Sequence, residues 1–152
     1  MAFNLMINAF PEGAVIPKLH TCEGADISPA LEWRDAPENT RSFALVVDDP
    51  DAPSGVWNHW LLYDIPVTAH AFPQGWKPSA AGVSGTNDFG KPGYNGPCPP
   101  RGHGPHRYIF KLFALGVPSL GLPPGAKRAG IDKAMRGHIL AETEYMGVYE
   151  RR

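Results

Sequence analysis

No segment of this sequence approaches the roughly 20 consecutive apolar residues that a membrane-spanning helix needs, so no membrane insertion is expected. Charge of one sign is missing too. Fourteen Lys and Arg stand against 15 Asp and Glu, a formal net charge of -1, whereas a dedicated nucleic-acid binder carries a strongly basic domain or face. No nucleic-acid partner is expected. The opening MAFNLMINAF has no Lys or Arg before Lys18 and is interrupted by Asn4 and Asn8. That does not fit the basic start and unbroken apolar run of a secretory signal, and the expected location is cytoplasmic. Cysteine is scarce: Cys22 and Cys98 alone cannot make a disulfide framework or a Cys-rich zinc site. Their spacing does not decide whether they pair, and a reducing compartment disfavours it.

Glycine and proline are plentiful, 17 of each, more than a fifth of the chain where average usage is about 12%. That density of helix breakers excludes a helical bundle or coiled coil. It predicts short strands joined by shaped loops. With 43% hydrophobic residues the chain is too apolar for disorder, and its length predicts a single domain, 1–152.

Residues 3–8 alternate loosely and suit an edge strand. Ser42 to Asp49 is an apolar run ending in acids, read as a buried strand emerging at a sheet end. The following Asp49-Pro50-Asp51-Ala52-Pro53-Ser54-Gly55 is turn chemistry. Val56 to Ile65 is a second strand, stopped by Pro66. Residues 66–104 contain no convincing long element, and His106 to Leu115, rich in aromatic and β-branched residues, is the clearest strand. From Gly125 to Leu140, Ile131, Ala134, Met135 and Ile139 recur at helical spacing and predict one amphipathic helix, with His138 on its apolar side. Ala141 to Tyr149 alternates again as a last strand. The expectation is a mainly β fold with one helix before the final strand.

Period-two geometry puts His59, Leu61, Tyr63 and Ile65 on one strand face, and His106, Tyr108, Phe110 and Leu112 on another. Each strand opens on a histidine in line with apolar residues, and a histidine entering a core face needs a polar partner. Asp49 and Asp51 at a strand end are natural partners; carboxylates nearby favour protonated imidazole. Gly93 to Tyr108 is dense in proline and glycine. Proline fixes φ and glycine permits close approach, so this loop is preformed, and such loops can aim backbone N–H groups at an anion.

These residues carry a resemblance. Asp49-Pro50-Asp51-Ala52-Pro53-Ser54, Asn58-His59-Trp60-Leu61 and Gly96-Pro97-Cys98-Pro99-Pro100 with His106-Arg107-Tyr108 resemble the phosphatidylethanolamine-binding protein (Raf kinase inhibitor-like) family. Asp26 to Trp33 and Gly137 to Tyr149 look like the family's flanking segments, and the Cys-Pro-Pro form looks like the bacterial branch. The resemblance implies a large antiparallel sheet packed on a smaller one, with an anion pocket for phosphoryl-containing ligands at one end. By motif match Asp49, Asp51, His59, His106 and Tyr108 would line that pocket, and Gly96, Cys98 and Pro99 would form its loop wall. Mammalian members carry a helix after the last strand, so a chain stopping at Arg152 implies a more open pocket. Kinase inhibition does not follow. A homodimer, no cofactor, no metal and no catalysis are the expectations.

Two other readings use the same residues. Asp49, Asp51, His59 and His106 could serve a metal-dependent or acid–base hydrolase, although neither H-E-x-x-H nor G-x-S-x-G occurs, and Ser84 in Gly82-Val83-Ser84-Gly85 does not complete the latter. Cys98 as a thiol nucleophile lacks a helix N-terminus to activate it. Alternatively the pocket is vestigial and the chain is an interaction module, with Trp33, Trp57, Trp60 and Trp76 as anchors if they are not core.

Overall fold

The computed structural model describes residues 2–77 and 81–152. Its strands are β1 (Asn4–Met6), β2 (Leu31–Arg34), β3 (Ser42–Asp49), β4 (Trp57–Pro66), β5 (Ala71–Phe72), β6 (Val83–Ser84), β7 (His106–Leu115) and β8 (Ile139–Tyr149), with one α-helix, α1 (Arg128–Met135), before the last strand. β1, β2 and β5 form a three-stranded sheet with β1 at its edge; β6, β4, β3, β7 and β8 form a five-stranded sheet in that order. All pairings within the sheets are antiparallel. The expected large sheet packed on a small one is what forms.

Every residue of β3 is buried, and the sheet order explains why its sequence reads as one apolar run. Phe43, Leu45 and Val47 face the core between the sheets, where Leu5, Leu31, Trp33 and Phe72 meet them from the small sheet. Ala44 and Val46 face the opposite side, covered by Ile131 and Met135 of α1. A central strand covered on both faces cannot alternate. Of the tryptophans, Trp33, Trp60 and Trp76 are core, which removes them as docking anchors.

Two expectations need correction. The helix covers only Arg128–Met135: Gly137 adopts φ +85° and ends it, so His138 and Ile139 are exposed and Ile139 opens β8. Glycine in the left-handed region is the commonest helix stop. Second, β4 does not keep a single parity. Asp48 pairs with Asn58 but Val47 pairs with Trp60, leaving His59 as an extra residue; a second irregularity lies between Phe43/Ile65 and Leu45/Leu62, at Asp64 with φ +52°. Asp64 is held there by Ser119 Oγ–H and the Leu120 N–H, each at 2.8 Å. Leu61 and Tyr63 therefore pack under α1, while Ile65 faces the inter-sheet core. Each β-bulge inserts one residue and inverts the alternation beyond it.

Candidate functional site

Antiparallel order brings the C-terminal end of β3 and the N-terminal ends of β4 and β7 to one edge of the large sheet. Asp48 pairs with Ile109, so Asp49 lies beside Tyr108. There a cleft of about 230 Å³ is lined by Asp49, Trp57, His59, Phe89, His106 and Tyr108, with Cys98, Pro99 and Pro100 along one wall and Ala52, Pro53 and Ser54 along another.

Asp49 is only 3% exposed. Its Oδ1 accepts the Asp51 N–H at 2.7 Å, which is the turn expected after β3. Its Oδ2 lies 2.6 Å from His106 Nδ1. The other His106 nitrogen, Nε2, is 2.6 Å from His103 Nδ1. Both nitrogens of a buried histidine are thus committed, and His103, itself exposed, connects the pair to solvent. His103 is a neighbour of the Asp49–His106 pair that sequence reasoning left out; its only signal was the three-residue spacing to His106.

His59, 3% exposed, donates Nδ1–H to the Asn95 carbonyl at 2.7 Å; a carbonyl only accepts, so this nitrogen carries the hydrogen. Its ring stands edge-on to Tyr108 and Phe89, with centroids 5.2 Å apart in each case. Burial pushes its pKa below the ordinary value, outweighing the Asn95 and Gly96 carbonyls and the Asp49 and Asp26 carboxylates that favour the charged ring. For His59 the pull of nearby carboxylates towards the charged ring is outweighed: desolvation dominates. Tyr108 is 1% exposed; its hydroxyl lies near the Asp49 carboxylate but makes no hydrogen bond of ordinary length among the described residues. Burial, then the Asp49 carboxylate, raises its pKa, so it stays a neutral O–H.

Two expected residues stand outside the cleft. Asp51 accepts the Arg107 N–H, Nε–H and Nη2–H at 2.9–3.0 Å. The hydrogen bonds from the Arg107 side chain hold its pKa down at about 2. It clamps the β3–β4 turn to β7. Gly96 spends its N–H on Asp26 Oδ1 at 2.8 Å, so it is not free for an anion. It is glycine because an added Cβ would lie 2.0 Å from the His20 carbonyl oxygen.

The wall is braced from behind by residues 18–28, of which the sequence singled out Cys22 and the segment from Asp26 but not His20. Cys22 and Cys98 form a disulfide, which settles the question their spacing left open. The Cys22 N–H donates to the Pro97 carbonyl, Tyr94 Oη–H to the His20 carbonyl, and buried His20 bonds Ile27 O through Nδ1. Asn87 holds the loop's other end, with Nδ2 donating to Asn95 Oδ1 at 2.7 Å and Oδ1 accepting the Phe89 and Lys91 N–H groups. That places the Phe89 ring over His59 and near Trp57.

The family described as Phosphatidylethanolamine-binding protein matches residues 6–150. The UPF0098 protein of Aquifex aeolicus is 53% identical over 146 residues, covering 94% of this chain and 85% of that relative. Among solved structures, a phosphatidylethanolamine-binding protein homolog from Chlamydia trachomatis superposes with a TM-score of 0.92 at 38% identity. Escherichia coli YbcL, described as a member of the mammalian family, superposes with 0.91 at 35% identity. Each of these superpositions covers 99% of both chains.

Proposed function

The chain belongs to the phosphatidylethanolamine-binding protein family, and from that premise we propose that the cleft at Asp49, His59 and Tyr108 binds small phosphoryl-containing ligands without transforming them. The observation that carries this reading is Tyr108, which lines the cleft and whose buried hydroxyl makes no hydrogen bond among the described residues. Leaving such a group unpaired costs about 1–3 kcal/mol, which a ligand oxygen accepting its hydrogen would recover. The family name refers to a lipid whose headgroup, free as phosphoethanolamine, is a phosphomonoester, which favours a phosphoryl oxygen as that acceptor. Binding fits the cleft better than catalysis does. Both ring nitrogens of His106 are committed and Cys98, bonded to Cys22, offers no thiolate nucleophile, which leaves His59 Nε2, among the described residues, as the one imidazole nitrogen of the cleft free to meet a ligand.

Titrating inorganic phosphate and phosphoethanolamine while following the His59 and Tyr108 resonances tests this. Saturable shifts, weakened about tenfold in Tyr108→Phe by loss of one hydrogen bond, are expected. Silence of both resonances at millimolar concentrations of both ligands would end the proposal. A homodimer belongs to the same reading and rests on the resemblance to bacterial members; sedimentation velocity at two concentrations distinguishes it from a monomer. A cytoplasmic location belongs to the same reading, although a bridge such as Cys22–Cys98 persists mainly in oxidising compartments.

A further inference from the structure

The charge and hydrogen-bond inventory of the cleft is unusual for an anion site. No Lys or Arg is among its lining residues, and Arg151 bonds the carbonyl of the wall residue Pro99 through its Nε–H. The groups facing His59 come from four directions. Asp49 approaches from β3, and Tyr108 and His106 from β7, with His103 bonded to His106. Asp26 contributes its field from the bracing segment, and Phe89 and Trp57 contribute neutral rings. Because Nδ1 of His59 holds its hydrogen for Asn95, a neutral ring leaves Nε2 with a lone pair and no hydrogen. Nε2 bonds none of the described residues.

A fully ionised phosphate placed here would set its oxygens against that lone pair and against the Asp49 carboxylate. A phosphomonoester carrying one proton fits instead. Its P–O–H donates to Nε2, and another oxygen accepts from Tyr108 Oη–H. The second pKa of a phosphomonoester is about 6, so that proton is within reach near neutral pH; a phosphodiester has no second proton to bring. Resting on the phosphoryl-binding reading above, we infer that the cleft takes up a phosphomonoester together with one proton, shared between a phosphoryl oxygen and His59 Nε2, and discriminates against phosphodiesters. The burial of His59 supports this, because a diester would have to be met by a ring protonated at the expense of its desolvation.

The minimal ligand pair is methyl phosphate against dimethyl phosphate, titrated calorimetrically into the full chain in two buffers of different ionisation heat. At pH 7.5 about one proton is taken up per methyl phosphate bound, since nearly all the free ligand is then the dianion. The methyl phosphate Kd rises about tenfold from pH 7.5 to 8.5 as the monoanion fraction falls. At pH 6, where about half of the free methyl phosphate already carries the second proton, dimethyl phosphate binds at least about tenfold more weakly, lacking one charge-assisted hydrogen bond. Methyl phosphate binding without proton uptake at pH 7.5, or a diester that binds as well as the monoester at pH 6, overturns this inference and leaves phosphoryl binding standing. If neither ester nor inorganic phosphate binds, both readings fall together.

Discussion

His59 and Trp60 are consecutive residues, yet both side chains face the side of the large sheet that carries the inter-sheet core. Trp60 packs there against Tyr94 and Trp76, and His59 meets Tyr108 at the rim of the same face. The bulge that leaves His59 opposite no residue of β3 is what allows it. With strict alternation His59 would share the helix-covered face with Leu61 and Tyr63. Inserting one residue re-aims a side chain, and here the re-aimed one becomes the imidazole of the cleft.

His59 should make stability depend on pH with a definite sign. Its folded pKa lies below its ordinary value of 6.5, so the unfolded chain binds the proton more readily. Stability is then fully present above about pH 6.5 and is lost as pH falls towards the folded pKa. Urea midpoints measured from pH 7.5 to 5 should decline for the wild type, and His59→Gln should show a shallower decline in that window. Equal slopes would mean that His59 is not the buried neutral group described.

Tyr108→Phe should separate function from stability. The substitution removes a buried hydroxyl that has no partner, so thermal unfolding is expected to be unchanged or stabilised by about 1 kcal/mol, while phosphate binding weakens. A destabilised variant would show that the hydroxyl is engaged in the ligand-free protein.

Two glycines should respond in opposite directions to alanine. At Gly96 the new Cβ meets the His20 carbonyl oxygen at 2.0 Å and its carbon at 2.9 Å, and backbone cannot give way cheaply. A loss of about 3 kcal/mol is expected from overpacking at this level. Gly130, within α1, has nothing within 4 Å of the new Cβ, so Gly130→Ala should stabilise by about 0.5–1 kcal/mol through helix propensity. Paired melting curves read both.

Reduction should loosen the wall of the cleft. The Cys22–Cys98 bridge joins residues 76 apart in sequence, and opening a loop of that length costs about 4 kcal/mol in the chain-entropy account. A Cys22→Ser/Cys98→Ser double variant, or wild type in excess dithiothreitol, should melt at lower temperature. Hydrogen exchange should also rise at the Cys22 amide, which donates to the Pro97 carbonyl. An unchanged melting temperature would show that the bridge adds nothing to the packing around it.

The abundance of glycine and proline, the uniformly apolar run of β3 and the alternation along β7 determined the class of fold before any coordinates. These are local signals, set by helix propensity and by which faces of a strand are covered. The His106-Tyr108 face was legible for the same reason, since β7 keeps its parity from end to end. What sequence could not supply was any feature that depends on a partner distant along the chain. The bulge at His59 exists only in the pairing of β3 with β4. Gly96 and Cys98 acquire their roles from His20, Asp26 and Cys22, more than 65 positions away. Phe89 reaches the cleft because Asn87 folds its loop back onto Asn95. The electrostatics of His59 depend on the same ground: a nearby carboxylate can be read from sequence, but the burial that outweighs it is a property of the packed fold. Gly-Pro density therefore foretold a stiff wall, and tertiary contacts decided what that wall leans on and which atoms of the cleft remain free to meet a ligand.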